Sequence, residues 1–202
     1  MTRAALQALA EEAGLKVEIN TDAFTRFVAF IKRRAHWAGT HNLSGPRALR
    51  DPWVVDVLDA LALNACLVPD LPLVDVGAGS GVPGLLVACL DPTRVVHLVE
   101  PNAKRTAFLR TTAVAMGLTG VRVHRGRWPM QIPDPQQVVS RAVVSPATWP
   151  SLAASAGPQV HQILRMLAHL RPPVEGLGYH LEASLDYTVD TASRQIERWA
   201  RT

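Results

Sequence analysis

The chain has little of what marks several large classes of protein. Its 202 residues contain only two cysteines, Cys66 and Cys89. Both sit inside apolar helical patterns without motif spacing, which excludes a disulfide framework and fits buried thiols in a reducing compartment. No apolar run approaches the roughly 20 residues that a membrane helix needs, and the polar N-terminus shows no apolar signal-peptide core. A cytoplasmic protein without membrane contact is expected. The seven histidines are scattered, none at ligand spacing from another, so no metal site is expected; His97 and His124 read as strand residues. A Ser-His-Asp or Cys-His arrangement is equally missing. Charge is modest: 21 basic against 17 acidic residues leave a net charge of +4. That balance tolerates an anionic partner and does not demand one. Repeats and low-complexity tracts are absent, and the length suits one compact unit with a modest extension.

What the chain does have is one dense stretch, Leu73-Val74-Asp75-Val76-Gly77-Ala78-Gly79-Ser80-Gly81-Val82-Pro83-Gly84. A short apolar run ends in Asp75, four glycines follow, and the apolar pattern resumes at Leu85. This reads as a buried strand, a tight turn and a helix, the opening of a βαβ unit. Glycines let the turn adopt positive φ and let a ligand approach the backbone, while the helix start offers free N–H groups. The dinucleotide fingerprint wants G-x-G-x-x-G, but Val82 stands where its third glycine belongs. The next strand, Val95–Val99, ends in Glu100, placed to accept bonds from both hydroxyls of a ribose. Asp75 offers a carboxylate to a cationic amino-acid end. Together these features fit S-adenosylmethionine better than a nicotinamide dinucleotide. The predicted cofactor contacts on this stretch are Asp75, Gly77, Gly79, Val82 and Glu100.

Around that centre the patterning predicts helices over 2–14, from Thr21 or Asp22 (as the cap) to about Trp37, and from Asp51-Pro52 through Ala62. Gly39 is expected to end the second. Beyond the glycine turn, strands at 73–76, 95–99, 121–124 and 137–140 alternate with helices at 84–90 and 102–117. A helix at 147–156 and a fifth strand at 160–166 follow; Pro172-Pro173 marks a loop, and Tyr179–Leu181 and Tyr187–Val189 suggest closing strands. Such alternation predicts an α/β protein with a mostly parallel, doubly wound sheet, its ligand beyond the carboxyl ends of the strands. The expected division is a helical cap over 1–70 and a Rossmann-like unit over 71–202.

The run from Asp75 to Arg110, through the G-x-P-G tail and Glu100-Pro101-Asn102-Ala103-Lys104-Arg105-Thr106-Ala107-Phe108-Leu109-Arg110, resembles the bacterial 16S ribosomal RNA guanine-N7 methyltransferases, the RsmG or GidB family. The likeness extends to Trp37, Asn42-Leu43, Asp59 and Ser140-Arg141-Ala142, and fades after about residue 160. It implies a class I methyltransferase that uses S-adenosylmethionine, with 16S ribosomal RNA or the small ribosomal subunit as partner and a monomer as the working unit. It also implies that Arg141 lies near both cofactor and substrate, as the expected catalytic residue and a cofactor contact. The turn after the third strand, with Trp128-Pro129, aligns with the family's adenine site. Pro129 brings neither an N–H nor a carboxylate there; Trp128 either stacks on the base or packs beneath the loop.

On the substrate side the resemblance points to Trp37, Asn42, Asp56 and Arg165, and here the chain departs most. Ala38 and Gly39 replace polar residues, Asp56 falls in the segment where the family has a histidine, and Arg165 replaces a lysine. Two other readings remain open beside ribosomal RNA: a small molecule or peptide as acceptor, or a non-catalytic RNA-binding module. Guanine N7 carries its own lone pair, so no base is required to expose it. The basic run Lys32-Arg33-Arg34 is expected to meet phosphates.

Overall fold

The structure, a computed structural model, describes residues 1–38, 45–132, 134, 136–141, 143–168 and 178–202. Gly39, Asn42, Leu43, Ala142 and the expected Pro172-Pro173 loop lie outside these residues.

Four helices precede the sheet: α1 (Arg3–Glu12), α2 (Thr21–Ala38), α3 (Pro46–Arg50) and α4 (Leu58–Cys66). The first is capped by the Thr2 hydroxyl, which accepts from the Ala5 N–H. The second is capped one residue earlier than expected, since the Asn20 side chain accepts from the Ala23 N–H at 2.8 Å. Its spacing of Ala23, Phe27, Phe30 and Arg34 puts one stripe inward. The helix expected from Asp51 opens as a widened π-type turn, Trp53–Val57, in which the Leu58 N–H reaches back to the Trp53 carbonyl, and continues as α4; the short α3 before it, ending at Arg50, was not expected. Such wide turns recur at functional sites. Trp53 stacks on Phe24 at 5.6 Å, which fixes the turn against α2.

The sheet alternates with helices as the patterning predicted: β1 (Leu73–Val76), α5 (Gly84–Leu90), β2 (Val96–Glu100), α6 (Ala103–Ala115), β3 (Val121–Arg125), β4 (Gln136–Ser140), α7 (Trp149–Ala154) and β5 (Val160–Leu167). The strand order is β3-β2-β1-β4-β5-β7-β6, with the first five parallel to one another. Every residue of β1, β2 and β4 is buried, as parallel strands covered on both faces require. The tail differs from its prediction. Tyr179–Leu181 and Tyr187–Val189 are the two ends of one strand, β6 (Tyr179–Val189), which turns back into β7 (Ala192–Arg201). Strand β7 runs antiparallel to both β5 and β6.

One apolar core joins the N-terminal helices to the sheet through Leu6, Phe27, Phe30, Leu61, Leu85 and Phe108. Truncating Phe27 or Phe30, both fully buried, would cost about 3–5 kcal/mol. The two thiols lie in this core, and burial pushes Cys66 up to about 11 and Cys89 up to about 12. Among the described residues, no helix is long and apolar enough to cross a membrane, and no group of three potential metal ligands occurs.

Candidate active site

Two cavities open side by side at the carboxyl ends of the strands. The first, about 400 Å³, is lined by Gly77, Gly79, Ser80, Val82, Glu100 and Arg141, among others. Its floor is the glycine turn. Gly79 has φ +55°, and a Cβ there would meet nothing closer than the Gly77 carbonyl at 3.7 Å; a larger side chain would therefore occupy cavity space. Gly77, at φ +73°, is glycine for a different reason, because its Cβ would stand 2.1 Å from Val143 Cγ2. Glu100 is 3% exposed. One of its oxygens accepts from the Gly79 N–H at 2.9 Å and the other from the Asn102 N–H at 2.8 Å. Both oxygens keep a lone pair, so the carboxylate is held in place to receive two further donors.

Asp75 lies beneath the turn instead of in the cavity wall. It is 1% exposed, Oδ2 accepts from the Gly84 N–H at 2.9 Å, and Oδ1 has no partner among the described residues. Burial pushes its carboxyl up to about 7; the Gly84 N–H and Arg141 pull against that shift and Glu100 adds to it. The buried orphan oxygen, the oriented Glu100 and the open side of Gly79 suit S-adenosylmethionine: Glu100 for the ribose hydroxyls, the turn's backbone for the amino-acid end, and below it Asp75, a carboxyl that a cationic ligand would help to ionise.

The second cavity, about 520 Å³, lies toward β5 and the β6–β7 hairpin, and Arg141 lines it as well. Around it runs a chain of alternating charges. Arg34 meets Asp56 at 2.6 Å, Asp56 meets Arg141 at 2.7 Å, Arg141 meets Asp59 at 3.3 Å, and Asp59 meets Arg194 at 2.7 Å. The Tyr187 hydroxyl donates to Asp59 at 2.8 Å. The Val55 carbonyl, within the widened turn, accepts from Arg141 at 3.3 Å. The two carboxylates hold the Arg141 guanidinium more firmly charged than usual.

The structure therefore brings Gly77, Gly79, Val82, Glu100 and Arg141 to one cavity and leaves the other described site candidates outside its wall. Asp56 is fully buried between Arg34 and Arg141, so it orients an arginine and has no face for a substrate. Arg34 is buried with it, which removes one cation from the basic run expected to meet phosphates. Trp128 donates its indole N–H to the Leu152 carbonyl at 2.9 Å and packs in the second core cluster. Its ring is thus packed and its N–H used, as in the second of its two readings. Neither Trp128 nor the exposed Pro129 borders the first cavity. Trp37 sits edge-on to Phe108 at 5.5 Å. Arg165 lines the second cavity, paired with Glu197 at 2.9 Å. Sequence reasoning missed Tyr187, Arg194 and Trp149. Its only available signal was two carboxylates, Asp56 and Asp59, within a run of apolar helix residues, where charge needs partners.

A seven-stranded sheet with an antiparallel strand inserted next to its last, and a glycine turn opposite an acid at the end of β2, define a Rossmann-like class I methyltransferase. The family model described as rRNA small subunit methyltransferase G matches residues 22–166, and the chain belongs to that family. It is accordingly an S-adenosylmethionine-dependent methyltransferase. It is 28% identical to the ribosomal RNA small subunit methyltransferase G of Dichelobacter nodosus, over 88% of this chain and 85% of that protein. The corresponding protein of Halorhodospira halophila is 35% identical over 66% of this chain and 64% of its own length. Among solved structures, magnesium protoporphyrin IX methyltransferase from Synechocystis with bound S-adenosyl-homocysteine superposes with a TM-score of 0.57 over 91% of this chain and 95% of that one. The TrmN structure from Thermus thermophilus gives 0.56 over 74% and 50%. At 15% and 18% identity these two share the fold.

Proposed function

We propose that the protein methylates N7 of a guanine in 16S ribosomal RNA, acting as a monomer on the small ribosomal subunit or its RNA. The observation that carries this reading is that Arg141 forms part of the wall of both cavities. A methyl donor over the glycine turn and an acceptor base beyond Arg141 would lie on either side of one fixed guanidinium. The donor supplies a methyl group already activated on a sulfonium. What remains for the chain is positioning and electrostatics. Glu100 and the turn fix the donor, and the second cavity excludes water around the base. Arg141, held by two aspartates, offers a preset hydrogen-bond donor without spending its charge. No residue has to remove a proton, because N7 attacks through its own lone pair.

Support for RNA comes from Lys104, Arg125 and Arg127, which are exposed at the same end of the sheet. None of them forms an ion pair among the described residues, whereas Arg34, Arg94, Arg141, Arg165, Arg194 and Arg198 all do. The test is incubation with labelled S-adenosylmethionine and unmethylated small ribosomal subunits, with a metabolite extract in parallel. Label recovered as 7-methylguanine in 16S RNA is the expected result. Label found only in a metabolite would replace this reading with a small acceptor. Arg141→Lys should lower transfer by about 100-fold while changing cofactor affinity far less.

A further inference from the structure

Arg34 enters the core on the inward stripe of α2 and is 1% exposed there. Its guanidinium lies 5.3 Å from the centre of the Phe30 ring and serves two acceptors at once. Nη1 donates to Asp56 Oδ2 at 2.6 Å, and Nη2 donates to the Ala48 carbonyl at 2.9 Å. These two acceptors lead to different walls. Ala48, with Gly45, lines the first cavity, and it belongs to α3, a helix that buries none of its residues. Apolar packing therefore does little to hold α3 in place. Its outward ion pair, Arg47 with Asp190, is exposed on both sides and weak in water. Asp56 leads the other way. Its second oxygen meets Arg141 Nη2 at 2.7 Å, and Arg141 forms part of both cavity walls. One planar fork thus spans the wall of the donor cavity and the shared arginine, a geometry that the single ammonium of a lysine cannot reproduce. The departure at position 56 belongs to the same arrangement. Asp56 falls in the segment where the resembling family has a histidine. A carboxylate there offsets two buried guanidiniums, where an imidazole would leave Arg34 without a counter-charge.

We propose that Arg34 is a positioning residue for methyl transfer, setting the α3 wall of the donor cavity through Ala48 and the direction of Arg141 through Asp56. This rests on the reading of Arg141 as lying between donor and acceptor. Arg34 touches neither ligand. It fixes two groups that border them relative to each other, and a displacement of about 1 Å at the reacting atoms can lower a rate by about 100-fold.

The test is steady-state methyl transfer by the full chain to unmethylated small ribosomal subunits, with donor affinity read separately by calorimetry using S-adenosyl-homocysteine. Rates are expressed per calorimetric binding site, so a misfolded fraction drops out. Arg34→Lys keeps the charge opposite Asp56 but cannot hold both acceptors. It should lower kcat by about tenfold and leave KM for the subunit unchanged. It should also weaken S-adenosyl-homocysteine by about fivefold, as expected for the loss of one hydrogen bond. Arg34→Met combined with Asp56→Leu removes the buried pair as a unit, an exchange that often preserves stability. Its kcat should fall at least as far while its denaturation midpoint holds; a purely structural pair would give the reverse. Arg47→Gln, which frees the exposed anchor of the same helix, should leave kcat within about twofold. Native kcat in Arg34→Lys or in the double variant, unchanged donor affinity in Arg34→Lys, or an equal loss in Arg47→Gln overturns the proposal. Label found in a metabolite in place of the subunit would remove only the acceptor reading, and the same ratios taken on that metabolite still decide the role of Arg34.

Discussion

The two cavities meet at Arg141 and are built on opposite principles. The cofactor side is made by backbone: a short turn, positive φ at Gly79, and N–H groups aimed at Glu100 and Asp75. The proposed acceptor side is made by side chains from four distant parts of the sequence, α2, the turn into α4, the end of β4 and the C-terminal hairpin, joined through alternating charges. A site built locally tolerates change elsewhere and fails at a single residue. A site built from distant charges depends on every partner, including Tyr187 and Arg194, which lie beyond the 22–166 segment that matches the family.

The largest effect expected is on the acceptor side. Arg34→Ala strands the buried Asp56 beside a single remaining cation and should cost about 3–5 kcal/mol of stability, whereas the exposed Lys32→Ala should stay within about 0.5 kcal/mol. Equal denaturation midpoints for the two variants would show that the charge chain does not hold this side together.

Asp75 sharpens the comparison from the cofactor side. Its carboxyl titrates near 7 in the fold against an ordinary value of 3.8, so the native state holds the extra proton between those values. Stability of the cofactor-free protein should therefore fall as pH rises from about 4 to 7, and level off above, by a few kcal/mol from this one group. Asp75→Asn should remove that part of the slope in paired urea titrations, and identical slopes would place the proton elsewhere.

Gly79→Val comes next. A branched side chain in the open side of the turn should weaken S-adenosylmethionine binding by about 100-fold, equivalent to about 2.7 kcal/mol. The left-handed backbone adds a folding cost of about 1–2 kcal/mol. Calorimetry that finds normal affinity would make the turn a mere connector. Smallest is Tyr187→Phe, which removes one hydrogen bond to Asp59. It should reduce methyl transfer by about fivefold, for roughly 1 kcal/mol, with cofactor affinity unchanged. A loss of cofactor affinity instead would mean that the two sides are not separable.

The same contrast decides what could be read from sequence. The glycine turn, the strands β1 to β5 and Glu100 were legible because the relevant physics is local: apolar runs, glycine spacing and an acid at a strand end. The charge chain was not, because the spacing that puts Arg34 on the stripe of Phe27 and Phe30 does not show that Asp56, from another element, waits opposite it. Strand β7 escaped notice for a related reason. Its sequence, Ala-Ser-Arg-Gln-Ile-Glu-Arg-Trp-Ala-Arg, is mostly polar, and it is a strand because β5 and β6 flank it on both sides. The widened turn at Trp53–Val57 is hidden in the same way, inside a pattern that reads as ordinary helix. Trp128 had two readings from its position alone, and its bond to the Leu152 carbonyl, far along the chain, is invisible in that position.

The two thiols in the core have a practical consequence. With Cys66 and Cys89 buried and pushed up to about 11 and 12, almost no thiolate exists near neutral pH, and maleimide or iodoacetamide reagents should leave the native chain unmarked. A single cysteine introduced at the exposed Lys104, beside the mouth of the cofactor cavity, would then be the one position to take a fluorophore or spin label. Donor loading and the arrival of RNA could be followed on the otherwise unaltered protein.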